Sequence, residues 1–231
     1  MLMIIKGLQK QTVLDYPGKL ACTIFTFGCN FRCGYCHNPE LIVDDGRPAI
    51  SEEEILKFLE ERKGFLDAVC ITGGEPTLNS DLPEFIEKIK KIGFLVKLDT
   101  NGSNPKMLKE LVSKKLVDYI AMDVKAPIDS YEKITNVKVN GEDIQRSIDI
   151  IRNFGEYEFR TTAVPGMFNE DYAMRIGEWL KGSKRFFLQN FKGIKTLDNE
   201  FLKKKPFSKE ELLDLCSVMK PYFGKCEVRG I

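Results

Sequence analysis

The chain has 231 residues, with 35 Lys+Arg against 34 Asp+Glu and a formal net charge of +1. That balance excludes nucleic acid and anionic membrane as partners recognised through charge. A hydrophobic content of 43%, with no uninterrupted apolar run of spanning length, is that of a globular chain rather than a membrane one.

In chain order, residues 1–8 are apolar but short, with no basic leader and no small-residue cleavage site, so no export signal is expected. Seven cysteines, an odd number irregularly spaced, agree with a reducing, cytoplasmic setting. A first strand is expected over 20–27, followed by Cys29-Asn30-Phe31-Arg32-Cys33-Gly34-Tyr35-Cys36-His37-Asn38. Ser51 with Glu54 forms a capping box before an apolar stripe at Ile55, Phe58 and Leu59. A strand over 68–72 runs into Gly73-Gly74-Glu75-Pro76. Asp81 or Leu82, then Pro83, opens a helix over 85–91 that Gly93 stops. The strand over 94–99 ends in Asp99-Thr100-Asn101-Gly102, and Asn104-Pro105 opens a helix over 107–115. A strand over 117–123 leads into Asp123-Val124-Lys125, with a helix over 141–153 beyond. Arg160 lies in a strand over 157–163, Val164-Pro165-Gly166 follows it, and a helix spans 169–181. The strand over 185–190 ends at Gln189-Asn190. Ser208 with Glu211 caps a last helix bearing Leu212, Leu215 and Met219, and a short strand over 226–229 closes the chain.

Six strands alternating with helices predict a parallel sheet covered by helices. An open doubly wound sheet and a barrel-like sheet share that pattern. The unusual residues all fall at or near carboxyl ends of strands, which favours an incomplete (β/α)6 TIM-like barrel of parallel strands. With no linker in sight, one domain is expected over 1–231, its core at about 20–191 and a C-terminal helix and strand over 206–231.

Cys29, Cys33 and Cys36 are spaced C-x3-C-x2-C, one thiolate short of a closed structural metal site. Such a loop suits a cubane iron–sulfur cluster with one open iron. A zinc site stays open as an alternative, its fourth ligand drawn from Cys22, Cys70, Cys216, Cys226 or His37. Cys33-Gly34-Tyr35-Cys36-His37 also matches a haem-attachment pattern and contains a C-x-x-C redox pair, though neither uses Cys29. Cys22 and Cys70 otherwise read as buried apolar residues, and the lysines at 203–205 as a solvated turn.

The cysteine loop with Tyr35, together with Gly73-Gly74-Glu75-Pro76, resembles the radical S-adenosylmethionine (SAM) enzymes. Thr12-Val-Leu-Asp15-Tyr-Pro-Gly18, Cys36-His37-Asn38 and the Asp99-Thr100-Asn101-Gly102/Asp123-Val124-Lys125 pair are similar to activating enzymes of glycyl-radical proteins, above all the longer activators of anaerobic ribonucleoside-triphosphate reductase. The resemblance implies a [4Fe–4S] cluster on Cys29, Cys33 and Cys36, with SAM chelating the open iron. It implies SAM contacts from Gly73, Gly74, Glu75 and Lys125, and an adenine side bordered by Tyr35, His37 and Gln189. Asp99, Thr100 and Asp123 fall at positions that hold a monovalent cation in such enzymes. Asp15 and Arg160 fall where the incoming glycine loop would be received, although Arg160 can equally balance Glu158 or Asp123. The implied partners are a glycyl-radical enzyme, with anaerobic ribonucleotide reductase preferred over a pyruvate formate-lyase type, and a flavodoxin or ferredoxin as electron donor. A small-molecule reaction of the 7-carboxy-7-deazaguanine synthase kind is the alternative. Gln189 stands where several relatives carry a histidine.

Overall fold

The computed structural model describes residues 3–231; Met1 and Leu2, part of the apolar start weighed above, lie outside the described residues. The chain groups into two compact units, the first drawn from Met1–Asn30, Glu40–Ala121 and Asp143–Glu156, the second from Phe31–Pro39, Met122–Glu142 and Tyr157–Ile231.

The first unit contains β1 (Ile5–Thr12), β2 (Ala21–Thr26), α1 (Glu52–Arg62), β3 (Ala68–Gly73), α2 (Leu82–Ile92), β4 (Leu95–Thr100), α3 (Pro105–Ser113) and the start of β5 (Tyr119–Asp123). Its strands are ordered β1-β2-β3-β4-β5. β2, β3 and β4 are parallel, while β1 runs antiparallel to β2. Both faces of β3 are closed: Ala68, Val69, Cys70 and Ile71 are all buried. That is why the strand reads as a continuous apolar run rather than an alternating one. Ser51 caps α1 with the expected box, its hydroxyl accepting from Glu54 N and the Glu54 carboxylate accepting from Ser51 N. Asn104 caps α3 by accepting from Met107 N at 3.2 Å. Asp81 stands at the N-cap of α2 without a side-chain capping bond, its carboxylate accepting instead from Met3 N at 2.9 Å. Gly93 ends α2 in the left-handed conformation, as its position in the sequence required.

The second unit contains the end of β5, α4 (Tyr131–Thr135), β6 (Tyr157–Ala163), α6 (Glu170–Trp179), β7 (Arg185–Asn190), α7 (Lys209–Met219) and β8 (Lys225–Arg229); α5 (Gly141–Arg152) lies almost wholly in the first. Strand order here is β5-β6-β7-β8, with β6, β7 and β8 parallel. Glu158, fully buried on β6, is held by both guanidinium nitrogens of Arg229 at 2.6 and 2.9 Å, which ties β8 to the unit.

The fold is an open, mostly parallel α/β sheet, the class expected of an incomplete barrel. Two elements depart from the expectation. β1 is an added edge strand, and α4 is a single turn between β5 and β6. Among the described residues no helix is long and apolar enough to cross a membrane.

Candidate functional site

In the first unit the two glycines at the end of β3, Gly73 within it and Gly74 just after it, answer to the chain's own backbone. Gly73 has φ +128°, and a Cβ there would sit 2.3 Å from both N and O of Thr26; at Gly74 it would sit 2.0 Å from Gly28 O. No side chain fits either place. The closeness is used: Gly74 N donates to Thr26 O at 2.9 Å and Glu75 N to Gly28 O at 2.7 Å. The loop after β3 is thereby stitched to the residues leading into Cys29.

Glu75 was expected at the cofactor. Its carboxylate is held by donors of the protein itself. It is 1% exposed, and Oε1 accepts from Thr77 N (3.1 Å), Thr77 Oγ1 (2.5 Å) and Thr100 Oγ1 (2.8 Å), while Oε2 accepts from Asn101 N (2.6 Å). Burial raises its pKa against the pull of these donors. Asn101 in turn places its side-chain amide 2.9 Å from Asn30 Oδ1 and 3.9 Å from Cys29 Sγ. Glu75 thus grips both neighbours of the first cysteine, Gly28 through its amide and Asn101 through its carboxylate.

Thr100 and Asp99, expected as cation ligands, have protein partners too. The Thr100 hydroxyl donates to Glu75 and accepts from Gly102 N at 3.1 Å. Asp99 is ion-paired through Oδ1 with Lys97, a lysine only 2% exposed. Cys70, read from sequence as plain core, lies 3.7 Å from Lys97 Nζ and 3.8 Å from Asp99 Oδ1. Sequence reasoning missed Lys97, although the signal was there: a lysine two residues before an acid inside a buried strand puts both on one face. Asp15, in the β1–β2 loop, accepts from Thr23 Oγ1 at 2.7 Å.

In the second unit Asp123, at the end of β5, faces two cations. Arg160 Nε reaches its Oδ1 at 3.0 Å and Lys125 Nζ its Oδ2 at 3.3 Å. Burial works to raise this carboxyl, but Arg160 and then Lys125 outweigh it and bring its pKa to about 2. The same balance keeps Lys125 charged: burial opposes its ammonium, and Asp123, Tyr35 and Cys33 hold its pKa well above the usual value. Tyr131 OH accepts from Lys125 N at 3.1 Å and fixes the turn. Cys33 is buried, which raises its pKa; Lys125 and a hydrogen bond from Tyr35 act in the opposite direction.

Tyr35 is buried against Phe201, ring centroids 6.2 Å apart, and Gly34 is required there because a Cβ would meet Phe201 at 2.6 Å. His37 stacks on Phe191 at 5.7 Å and 21°, and burial lowers its pKa. Gln189 lies in β7, paired between Thr162 and Arg229. Tyr35, Lys125, Thr162, Met167 and Tyr172 are among the residues lining a small pocket in this unit.

The three cysteines are divided between the units, Cys29 in the first and Cys33 and Cys36 in the second. Among the described residues no three His, Cys, Asp or Glu side chains are gathered as a metal site. The donor set nevertheless fits iron: three thiols on eight consecutive residues, one of them buried beside an ammonium able to offset thiolate charge. The remaining cysteines have surroundings of their own. Cys22 is buried within β2, Cys70 is engaged by Lys97, and Cys216 and Cys226 face each other at 3.4 Å between α7 and β8. Nor are the lysines at 203–205 a fully solvated turn, since Lys204 Nζ donates to Pro165 O at 3.0 Å.

Comparison with known proteins adds to this geometry. The model of the radical SAM superfamily matches residues 23–177. A protein of Methanocaldococcus jannaschii, provisionally named a glycyl-radical enzyme activating enzyme, is 36% identical over 235 residues, covering 99% of this chain and 96% of its own. The pyruvate formate-lyase-activating enzyme of Clostridium pasteurianum is 32% identical over 148 residues, 60% of each chain. Among solved structures, Streptococcus suis SuiB bound to S-adenosylmethionine superposes with a TM-score of 0.65 at 18% identity, over 87% of this chain and 48% of SuiB. This last likeness is one of fold.

Proposed function

Because the chain belongs to the radical SAM superfamily, we propose that it activates a glycyl-radical enzyme, removing a hydrogen atom from one glycine Cα of that partner. The observation that carries this reading is the likeness over 99% of the chain to a protein named for the same activity. In this reading Cys29, Cys33 and Cys36 would hold a [4Fe–4S] cluster, which together with bound SAM would supply one-electron cleavage of the sulfonium. The whole of 1–231 serves as one radical SAM domain, working in a reducing cytoplasm.

The chain's own groups then have distinct tasks. Gly73 and Gly74 offer their backbone to the methionyl end of SAM, and Glu75 holds that backbone against Gly28. Lys125 offsets negative charge at Cys33 and at the SAM carboxylate. Tyr35, His37 and Gln189 border the adenosine. Asp15 and Arg160 receive the glycine-bearing loop, and Arg160 is kept oriented by Asp123. A monovalent cation at Asp99, Thr100 and Asp123 is the further cofactor of this reading, sharing these carboxylates with Lys97, Arg160 and Lys125.

Anaerobic ribonucleotide reductase is the preferred partner, on the resemblance of the segments around Asp15, His37 and Asp99. A pyruvate formate-lyase type partner is the second reading, favoured by the clostridial relative. Flavodoxin or ferredoxin supplies the electron. The test is anaerobic reconstitution followed by electron paramagnetic resonance with dithionite, SAM and each candidate partner. About four irons per chain, lost in Cys33→Ala, and a glycyl doublet with one partner are expected. Release of 5′-deoxyadenosine without a glycyl signal from any partner would point to a small-molecule substrate.

A further inference from the structure

Asn101 is buried between Glu75 and Cys29, and all three belong to the first unit. Its main-chain N–H donates to Glu75 Oε2 at 2.6 Å, so its backbone is fixed by the sealed carboxylate. Its side-chain oxygen accepts from Ser103 N at 2.9 Å. Ser103 N is a backbone donor, so the atom facing it has to be the oxygen, and the side-chain nitrogen has to face the other way. There Nδ2 meets two acceptors, Asn30 Oδ1 at 2.9 Å and Cys29 Sγ at 3.9 Å. Asn30 is held in turn, its own amide donating to Ser103 Oγ at 2.9 Å. The two hydrogens of Nδ2 are thus spent on one oxygen and one sulfur. A thiol sulfur accepts weakly, but a sulfur that carries more negative charge accepts more strongly.

We infer that Asn101 is a positioning residue that sets how readily iron held at Cys29 takes up an electron, through the amide hydrogen it aims at that sulfur. The inference rests on the cluster reading above. Hydrogen bonds to ligating sulfurs are among the levers that set the potential of an iron–sulfur centre. The reduced form carries one more negative charge, so a donor at the sulfur favours it over the oxidised form. One electron enters from an external reductant of the ferredoxin or flavodoxin class. No protein bond forms or breaks, and the hydrogen stays on Asn101 throughout. The donor is preset, because the bonds from Glu75, Ser103 and Asn30 that aim it involve no metal.

The test uses the anaerobically reconstituted protein without SAM, titrated with dithionite in the presence of redox dyes. The ratio of reduced to oxidised cluster is read by electron paramagnetic resonance at each set potential. Asn101→Leu removes the donor at similar volume. Asn101→Asp keeps an acceptor for Ser103 N and puts an anionic oxygen where the donor stood. Ser103→Ala loosens Asn30 but leaves Ser103 N, and with it the Asn101 carboxamide, in place. At a fixed potential the ratio is expected to fall about fivefold in Asn101→Leu and further in Asn101→Asp, and to stay within about twofold of wild type in Ser103→Ala. A ratio in Asn101→Leu equal to that of wild type overturns the inference, even if Asn101→Asp is shifted, since charge alone would then be at work. An equal fall in Ser103→Ala overturns it as well, as the mark of a loop merely loosened. If neither Asn101 variant takes up iron while Ser103→Ala does, Asn101 serves assembly and the inference fails. A wild-type chain that takes up no iron sinks the proposed function itself, whereas a loaded one whose potential ignores Asn101 leaves that reading standing.

Discussion

Glu75 and Asp123 are both carboxylates at the carboxyl end of a strand, one in each unit, and their surroundings are opposite. Glu75 is sealed from water and met only by neutral donors, two backbone amides and two hydroxyls. Asp123 keeps 26% of its side chain exposed and is met by an ammonium and a guanidinium. Burial wins at the first and raises the pKa; charge wins at the second and lowers it. A carboxylate saturated by neutral donors holds its loops still. One surrounded by surplus positive charge at a partly open position is suited to organise cations that themselves touch a ligand. The Gly-Gly-Glu segment therefore has the construction of a scaffold, and the Asp123–Lys125–Arg160 cluster has the charge and exposure of groups that can meet a ligand.

The largest expected effect that would break this comparison is at Glu75. Glu75→Ala leaves four buried donors without an acceptor and should cost about 3 kcal/mol or more, lowering the melting temperature by roughly 10 °C. Glu75→Gln should recover part of the loss, since its carbonyl oxygen can still serve the three donors now on Oε1. Thermal melting of the cluster-free protein measures both.

Arg160→Gln should cost no more than about 1 kcal/mol, because Lys125 remains at Asp123 and the cluster is partly solvated. Glycyl-radical formation on the partner should nevertheless fall sharply while SAM cleavage alone persists. If this variant melts as low as Glu75→Ala, Arg160 is a strut too and the contrast dissolves.

The smallest effect sharpens the contrast through pH. The Asp123 carboxyl sits at about 2 in the folded protein, against about 3.9 when unfolded. Its pairing stabilises the fold fully above about pH 4, and that contribution is lost as pH falls towards 2. After solvent screening, about 1 kcal/mol is expected. Asp123→Asn should flatten this part of the acid limb in a melting-versus-pH series, and an unchanged limb would contradict the assignment.

The fold was largely legible because its signals are local. Ser51 and Ser208 each sit three residues before a glutamate, and both boxes form. The parallel strands are apolar runs bounded by glycine and proline. β1 escaped notice for an equally physical reason: Ile5-Lys-Gly-Leu-Gln-Lys-Gln-Thr12 is an edge strand, largely solvated, so selection for burial leaves little pattern to read. At the site, residue types and places were readable but partners were not. Glu75 takes its acceptor duties from residues two, 25 and 26 positions away, a choice only folding makes. The same limit hid Lys97 as the companion of Asp99. Polar residues at strand ends can also serve each other, as Thr100 and Glu75 do, and spacing alone does not show that.

The stitching of Gly74 to Thr26 and of Glu75 to Gly28 has a consequence for how the metal is acquired. The first sulfur is indexed by bonds between backbone amides and carbonyls, which need no metal to form, so Cys29 acts as a preset template point. Oxidative loss of the cluster would then leave its anchor in register, and the apoprotein should be refillable rather than merely refoldable. Amide hydrogens at 74 and 75 should exchange at one slow rate in the metal-free and metal-loaded forms alike.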